Sequence, residues 1–317
     1  MVMTEQNDAE DGGSGQPNQT RIMITGADGQ LGRALARALT EHELIATGRS
    51  EVDVTDRDGV RRAVRESEPQ IVVHCAAYTD VDGCARHPER AQRVNALGAQ
   101  NVALACREAG AEMVHISTNE VFAGDDAGGY EEWRPLNPMN PYARSKAAAE
   151  FHVRHLLPRH YIVRTAWTYA PGGRNFVHTI LRYARERGEL RVVTDEIANP
   201  TYVKDVAEAI DRLIQLGQSG TYHFVNAGAC SRWAFANEIL RLAGLEHVTN
   251  RPILSVEFNR ASTPPRYGAL QNTAGAALGI VLRPWQEALA DFMDETGDLA
   301  VAAVSTTPEP QKEYANE

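Results

Sequence analysis

Along the first half of the chain, short apolar runs alternate with longer segments whose apolar residues recur at helical spacing. RIMITG (Arg21–Gly26) reads as a strand, and Gln30–Glu41 carries small and apolar residues on one helical face. Glu43–Thr47 is a second strand, and Asp56–Ser67 a helix with Asp56 as its N-cap. Gln70–Ala77 is a third strand, nearly all apolar, as expected where helices cover both faces of a sheet. Pro88–Ala109 predicts a long helix, and Glu112–Thr118 a fourth strand followed by a loop rich in Gly, Asp and Pro. A helix over Pro141–His155 and a strand over Tyr161–Trp167 continue the pattern. Strands alternating with helices of this length imply βαβ units and a parallel sheet, hence an α/β fold.

Beyond Trp167 the alternation loosens. A helix is expected at Asn175–Arg187, a strand at Arg191–Val193, helices near Val203–Leu216 and Ser231–Ala243, then a proline-broken stretch to Trp285. No internal repeat occurs. Residues 21–165 therefore read as the sheet domain, and 166–296 as a smaller α/β lobe, partly interleaved with that sheet, that closes one side of it. Residues 1–20 are acidic and rich in Gly, Ser and Gln, and 297–317 are similarly polar. Both are expected to be disordered, and the first has no apolar core of the kind a secretory signal needs.

Composition narrows the class. With 317 residues the chain can bury a sizeable core, and its formal net charge of -10 argues against general affinity for nucleic acid or an anionic membrane. That sign leaves room for a local basic pocket. No apolar run approaches the roughly 18–20 residues of a membrane span. Cys75, Cys84, Cys106 and Cys230 form no CxxC pair and read as reduced thiols of a cytoplasmic protein.

Two motifs carry chemistry. TGADGQLG sets Gly26, Gly29 and Gly32 between a strand and a helix, where the backbone can turn tightly and bring a pyrophosphate onto the helix N-terminus. Its context, more than its spacing, indicates a dinucleotide-binding, Rossmann-type doubly wound sheet. After the second strand comes Gly48-Arg49-Ser50-Glu51. Arg49 stands where a carboxylate would select the plain ribose, so NADPH is favoured, with NADH as the alternative because Glu51 is close. NPYARSK then puts Tyr142 and Lys146 on one helical face. A phenol of pKa about 10 is a poor acid–base group at neutral pH, and an ammonium within about 4–6 Å would lower it. Such a pair can protonate a carbonyl oxygen as hydride reaches its carbon. Within the apolar third strand, His74 reads as a core histidine, while Asp80 and Asp82 read as loop caps and no metal-ligand set is encoded.

With these motifs in order, the chain resembles the extended short-chain dehydrogenase/reductases, and most of all the dTDP-4-dehydrorhamnose reductase family. The resemblance runs from about Arg21 to Asp294 and rests on MITGADGQLG, HCAAYTDVDGCA, VNALGAQNVALAC, ISTNEVFAG, NPYARSK, RTAWTYA, NPTYVKDVAEAI and PPRYGAL. It implies that Tyr142 is the proton donor, that Lys146 orients the nicotinamide ribose and tunes Tyr142, and that Thr118 hydrogen-bonds the reacting carbonyl. By the same resemblance Gly29, Gln30 and Leu31 cradle the cofactor phosphates, Asp53 and Val54 flank the adenine, and Ala76, Ala77, Tyr78 and Thr79 line the dinucleotide path. Ile116 joins the cofactor contacts, Trp167 covers the sugar nucleotide, and Asn95 supports the site. Magnesium enters only because the family has been associated with it, and a monomer or a homodimer is equally compatible.

The chain departs from the family at Ser117-Thr118-Asn119-Glu120-Val121-Phe122, where the reductases have S-T-D-Y-V-F. Related 4,6-dehydratases carry T-D-E there, with the aspartate as acid and the glutamate as base. An Asn119 amide cannot transfer a proton, so elimination of water lacks its acid. Asn119 and Glu120 are therefore expected to shape the substrate pocket. The leading expectation is NADPH-dependent reduction of C4 of a dTDP-4-keto-6-deoxy-L-hexose. Alternatives are a reductase of another such keto-sugar, a dehydratase or epimerase, and a non-catalytic relative of the methionine adenosyltransferase regulatory subunit.

Overall fold

In the computed structural model, which describes residues 19–300, successive side chains of each central strand go to opposite cores. The expectations for residues 1–18 and 301–317 lie outside the described residues. Strand β1 (Arg21–Thr25) sends Ile22 and Ile24 to one hydrophobic cluster and Met23 to another. Val73 and Val72 of β3 (Ile71–His74) divide in the same way. That is the period-two signature of a strand buried on both faces.

In chain order, α1 (Gln30–Ala38) and β2 (Glu43–Thr47) follow β1, and α2 (Arg57–Ser67) leads into β3. The Asp56 carboxylate accepts the Gly59 N–H at 3.1 Å, capping α2 as its sequence predicts. Asp56→Ala should cost about 1 kcal/mol, read as a fall in melting temperature of about 2–4 °C; no change would remove the cap from the account. After β3 come α3 (Val81–Arg86) and α4 (Pro88–Ala91), a π-helical stretch Gln92–Leu97, then α5 (Gly98–Ala109). Asp80 caps α3 through the Gly83 N–H, as a loop aspartate should. The long helix expected from Pro88 is present but contains that wider turn, a feature frequent at functional sites. Strand β4 (Glu112–Thr118), helix α6 (Pro141–Leu156) and strand β5 (His160–Thr165) complete this half.

The remaining elements are β6 (Thr168–Tyr169), α7 (Phe176–Arg187), β7 (Glu189–Val193), β8 (Ile197–Ala198), β9 (Thr201–Tyr202) and α8 (Val203–Leu216). Then follow β10 (Gly220–His223), β11 (Cys230–Ser231), α9 (Arg232–Leu242), β12 (Thr249–Ile253), α10 (Ala274–Ala277) and α11 (Trp285–Glu295). The central sheet has six strands in the order β10-β5-β4-β3-β1-β2, all paired parallel.

Sequence reasoning missed β10 and α11. Strand β10 is only four residues long and begins at a glycine, so no run of apolar residues announces it. Helix α8, which leads into β10, packs with α1 on one face of the sheet through Val206, Ile210 and Leu213. On the other face α2, α5 and α6 contribute Val60, Val64, Val102, Cys106 and Val153. A separate core gathers α7, α9 and α11 around Tyr169, Tyr202, Phe235 and Phe292, beside the carboxyl-end edge of the sheet.

Candidate active site

Five chain segments converge on a cleft of about 390 Å³: the amino end of α1, the carboxyl ends of β3 and β4, the first turns of α6, and the chain leaving β5. Ligand sites of open α/β sheets lie outside the carboxyl ends of the strands, because the loops diverge there.

The glycine loop lies at one end. Gly26 adopts φ +74°, and a Cβ there would stand 2.6 Å from the Ala76 nitrogen. A Cβ on Gly32 would stand 2.5 Å from the Gly26 carbonyl oxygen, so α1 can approach β1 this closely only without a side chain. The first turn of α1 carries no acidic residue, and its N–H groups lack intrahelical acceptors. Gln30 Nε2 donates to the Arg174 carbonyl at 3.1 Å, while its buried Oε1 has no partner. Backbone donors and a positive helix terminus suit a dinucleotide's phosphates, while the orphaned amide oxygen can accept only from a hydroxyl or N–H of the ligand.

Gly29, Gln30, Leu31, Gly32, Ala77, Thr79 and Ile116 line the cleft, as do Thr118, Asn119, Glu120, Tyr142, Lys146 and Trp167. Gly26 and Ala76 pack behind it. Val54 is buried against Gly98, and Tyr78 is anchored through its backbone by Asn95. Arg49 is exposed, 3.9 Å from Asp53, whose carboxylate also accepts the Thr55 N–H and hydroxyl. Glu51 accepts the Gly48 N–H at 2.6 Å, so that carboxylate is spent on the turn, and Arg49 is the cation at a strand tip that also carries the Asp28 and Asp53 carboxylates.

Asn140 is the N-cap of α6, accepting the Ala143 N–H at 2.8 Å, and thereby sets the rotation that turns Tyr142 and Lys146 inward. Asn95, in the π-helical stretch, donates to Ser145 Oγ at 2.9 Å and to the Tyr78 carbonyl at 3.0 Å. It ties α6 to the loop after β3, the supporting position that the resemblance implies.

The electrostatics of the pair differ from the expectation of a phenol lowered by its lysine. Burial holds the Tyr142 phenol above its ordinary value, Glu120 adds to that, and a hydrogen bond with Thr118 opposes it. Lys146 Nζ instead donates to the Ile116 carbonyl at 2.5 Å and lies 3.4 Å from His115 Nε2. Burial brings its pKa down to about 8, with Glu150 opposing. The low dielectric thus keeps the acid protonated and the lysine easily titrated.

Asn119 donates to the Gly268 carbonyl at 2.8 Å, latching the β4 tip to the loop before α10. The Glu120 carboxylate accepts from Asn140 at 2.7 Å, and burial raises its pKa against the opposing effects of Asn140, Arg232 and Arg260. Sequence reasoning missed Asn140, Glu196, Arg232 and Arg260. Arg232 donates to Glu196 at 2.9 Å and stacks 4.1 Å above the Trp167 ring, and Arg260 bonds the other Glu196 oxygen. Trp167 itself sits at φ +40°, a strained conformation for a bulky residue that is typical of ligand clamps. The strand expected to reach Trp167 accordingly stops at Thr165. Asn140, three residues before an apolar helical run, carried an N-cap signal; residues from the second lobe had none.

His74 behaves as a core histidine, its Nδ1 2.8 Å from Thr25 Oγ1. Asp82 accepts the Ser262 N–H at 2.9 Å. Among the described residues no three His, Cys, Asp or Glu side chains are grouped to hold a metal ion, and no helix is long and apolar enough to cross a membrane.

Residues 20–297 match the family described as the RmlD substrate binding domain. The chain is 40% identical over 281 residues to the spore coat polysaccharide biosynthesis protein SpsK of Bacillus subtilis, covering 87% of this chain and 98% of that protein. It is 40% identical over 298 residues to the dTDP-4-dehydrorhamnose reductase of Mycolicibacterium smegmatis, covering 92% of this chain and 88% of the relative. Among solved structures, the dTDP-4-dehydrorhamnose reductase of Bacillus anthracis in complex with NADP superposes with a TM-score of 0.85 at 40% identity. That match covers 88% of this chain and 100% of the other.

Proposed function

The chain belongs to the dTDP-4-dehydrorhamnose reductase family, and on that premise we propose that it reduces the C4 ketone of dTDP-4-dehydro-L-rhamnose to dTDP-L-rhamnose with NADPH. The observation that carries this reading is the cleft shared by the Tyr142 phenol, the Thr118 hydroxyl and the Lys146 ammonium with the glycine-loop end of α1.

NADPH would supply the hydride when bound, and Gly29, Gln30 and Leu31 would hold its phosphates while Arg49 would meet the 2′-phosphate. Tyr142 gives its phenolic proton to the C4 oxygen as negative charge develops there, and the Thr118 hydroxyl donates a hydrogen bond to the same oxygen. Lys146 would hold the nicotinamide ribose. Trp167, braced by Arg232, covers the sugar nucleotide and excludes water. The Asn119 amide, engaged with the Gly268 carbonyl, offers no proton for the elimination step of a dehydratase.

A second reading, reduction of another dTDP-4-keto-6-deoxyhexose, is favoured by Glu120, whose carboxylate faces the cleft where the family has tyrosine. A panel of nucleotide keto-sugars decides between the two. Purified protein given dTDP-4-dehydro-L-rhamnose should oxidise NADPH stoichiometrically with formation of dTDP-L-rhamnose. Preference for a different 4-keto-sugar would select the second reading, and turnover of dTDP-glucose without net cofactor consumption would defeat both. Glu120→Gln should act mainly on KM and cost less than about 10-fold in kcat, well short of the roughly 10²–10⁴-fold effect of a proton-transferring group. A larger loss of kcat would place Glu120 in the chemistry.

A further inference from the structure

Behind Lys146 the sheet holds a pair of imidazoles that the proton transfer does not use. His74, at the end of β3, and His115, in β4, are register partners, and their rings stack with centroids 5.5 Å apart. Both are buried, and each keeps one ring nitrogen without a partner: His74 Nε2 and His115 Nδ1. Unpaired buried polar atoms are uncommon, and each calls for a physical reason. Burial disfavours imidazolium, and the Lys146 charge repels a second cation further, so both rings are neutral: His74 is pushed down to about 3 and His115 well below its ordinary value. A neutral His115 can carry its hydrogen on Nδ1 and present a lone pair at Nε2, the atom 3.4 Å from Lys146 Nζ.

We propose that His115 is a positioning residue for the reduction, its Nε2 lone pair accepting from the Lys146 ammonium. With the Ile116 carbonyl at 2.5 Å it engages two of the three N–H bonds and leaves the third for the cleft. Glu150, one turn along α6, does not serve this purpose, because its oxygens are taken by Arg164, Arg154 and Ser117. The Glu150 charge favours the ammonium through space, but its N–H bonds are met by neutral lone pairs. The groups facing Lys146 are Glu150 from α6, Cys75 after β3 and His115 from β4; those facing His115 add His74 from β3 and Arg154 from α6. The inference rests on the reading of Lys146 as a group that must be charged to work.

Its test reads Lys146 directly. Competitive acetylation of the full chain across pH, quantified on the Lys146 peptide, gives the ammonium's titration midpoint without any substrate. The alkaline limb of kcat/KM for NADPH-dependent reduction is measured alongside. His115→Leu and His115→Phe, which lack the lone pair, should move both midpoints to lower pH by about one unit, a tenfold fall in proton affinity. His115→Gln, whose side-chain oxygen replaces Nε2 as acceptor, should restore them. Unmoved midpoints with only a lower melting temperature would reduce His115 to packing and overturn the proposal, as would a His115→Gln shift equal to that of His115→Leu. If the acetylation midpoint moves as expected while no keto-sugar is reduced, the proposed reaction falls and His115 still holds the Lys146 ammonium.

Discussion

Tyr142→Phe should lower kcat by roughly 10²–10⁴-fold, the usual contribution of a positioned proton donor, with NADPH affinity changed by less than about threefold. The substitution removes one oxygen from a buried ring and leaves its packing against Cys84 and Ala91 in place. Stopped-flow turnover and cofactor titration separate the two quantities, and a kcat within about tenfold of the parent would assign proton donation elsewhere. The pH profile sharpens the test. Because burial and Glu120 hold the Tyr142 phenol above its ordinary value, it stays protonated throughout the neutral and mildly alkaline range and can act as an acid there. The alkaline limb of kcat/KM therefore belongs to Lys146, whose ammonium is lost as pH rises through about 8. The residual activity of Tyr142→Phe should keep that limb. A limb that disappears with the phenol would reassign it to Tyr142.

The second large effect lies beneath the site. Arg164, 1% exposed, bonds both oxygens of the fully buried Glu150 at 2.9 Å. Arg154 and Ser117 add a bond each to the same carboxylate. Removing one member of a buried pair strands the other charge in low dielectric, so Arg164→Met should destabilise by about 3–5 kcal/mol and lower the melting temperature by roughly 10 °C. The double variant Arg164→Met/Glu150→Leu should recover most of the loss, since apolar replacements of similar volume avoid desolvating two charges. A single variant costing less than about 1 kcal/mol would show that Arg154 suffices. Burial alone would raise the Glu150 carboxyl, yet its partners together outweigh it and hold it below its ordinary value. With the folded-state value depressed, the stabilisation is complete above the unfolded value of about 4.3 and is lost as pH falls through the lower folded one. Arg164→Met should flatten that acid limb. Ser117 precedes Thr118, so this buried pair also anchors the strand tip that carries the Thr118 hydroxyl.

The glycine loop, the strand ending at Thr118 and the Tyr142–Lys146 helix were legible because each is a local pattern. Period-two alternation marks a strand, a 3.6-residue period marks a helix, and a capping side chain three residues before a free N–H marks the start of one. These signals lie within a few residues of one another, so the sequence by itself determined a parallel α/β sheet and the faces its helices present. It determined the candidate chemistry for the same reason, since the tyrosine and lysine need only one turn of helix to share a face. What the tertiary structure decided are contacts between distant segments. β10 joins the sheet because α8 packs on α1, Arg232 braces Trp167 from a helix far along the chain, and Glu120 meets Asn140 at the start of α6. The protonation of the site belongs to this second group. A tyrosine four residues from a lysine is expected to be lowered by it, and here burial and a carboxylate raise it while the lysine turns to a backbone carbonyl and a histidine. Spacing along a helix places two side chains on one side, but dielectric and partners come from whatever packs against them, and that is set only when the whole chain has folded.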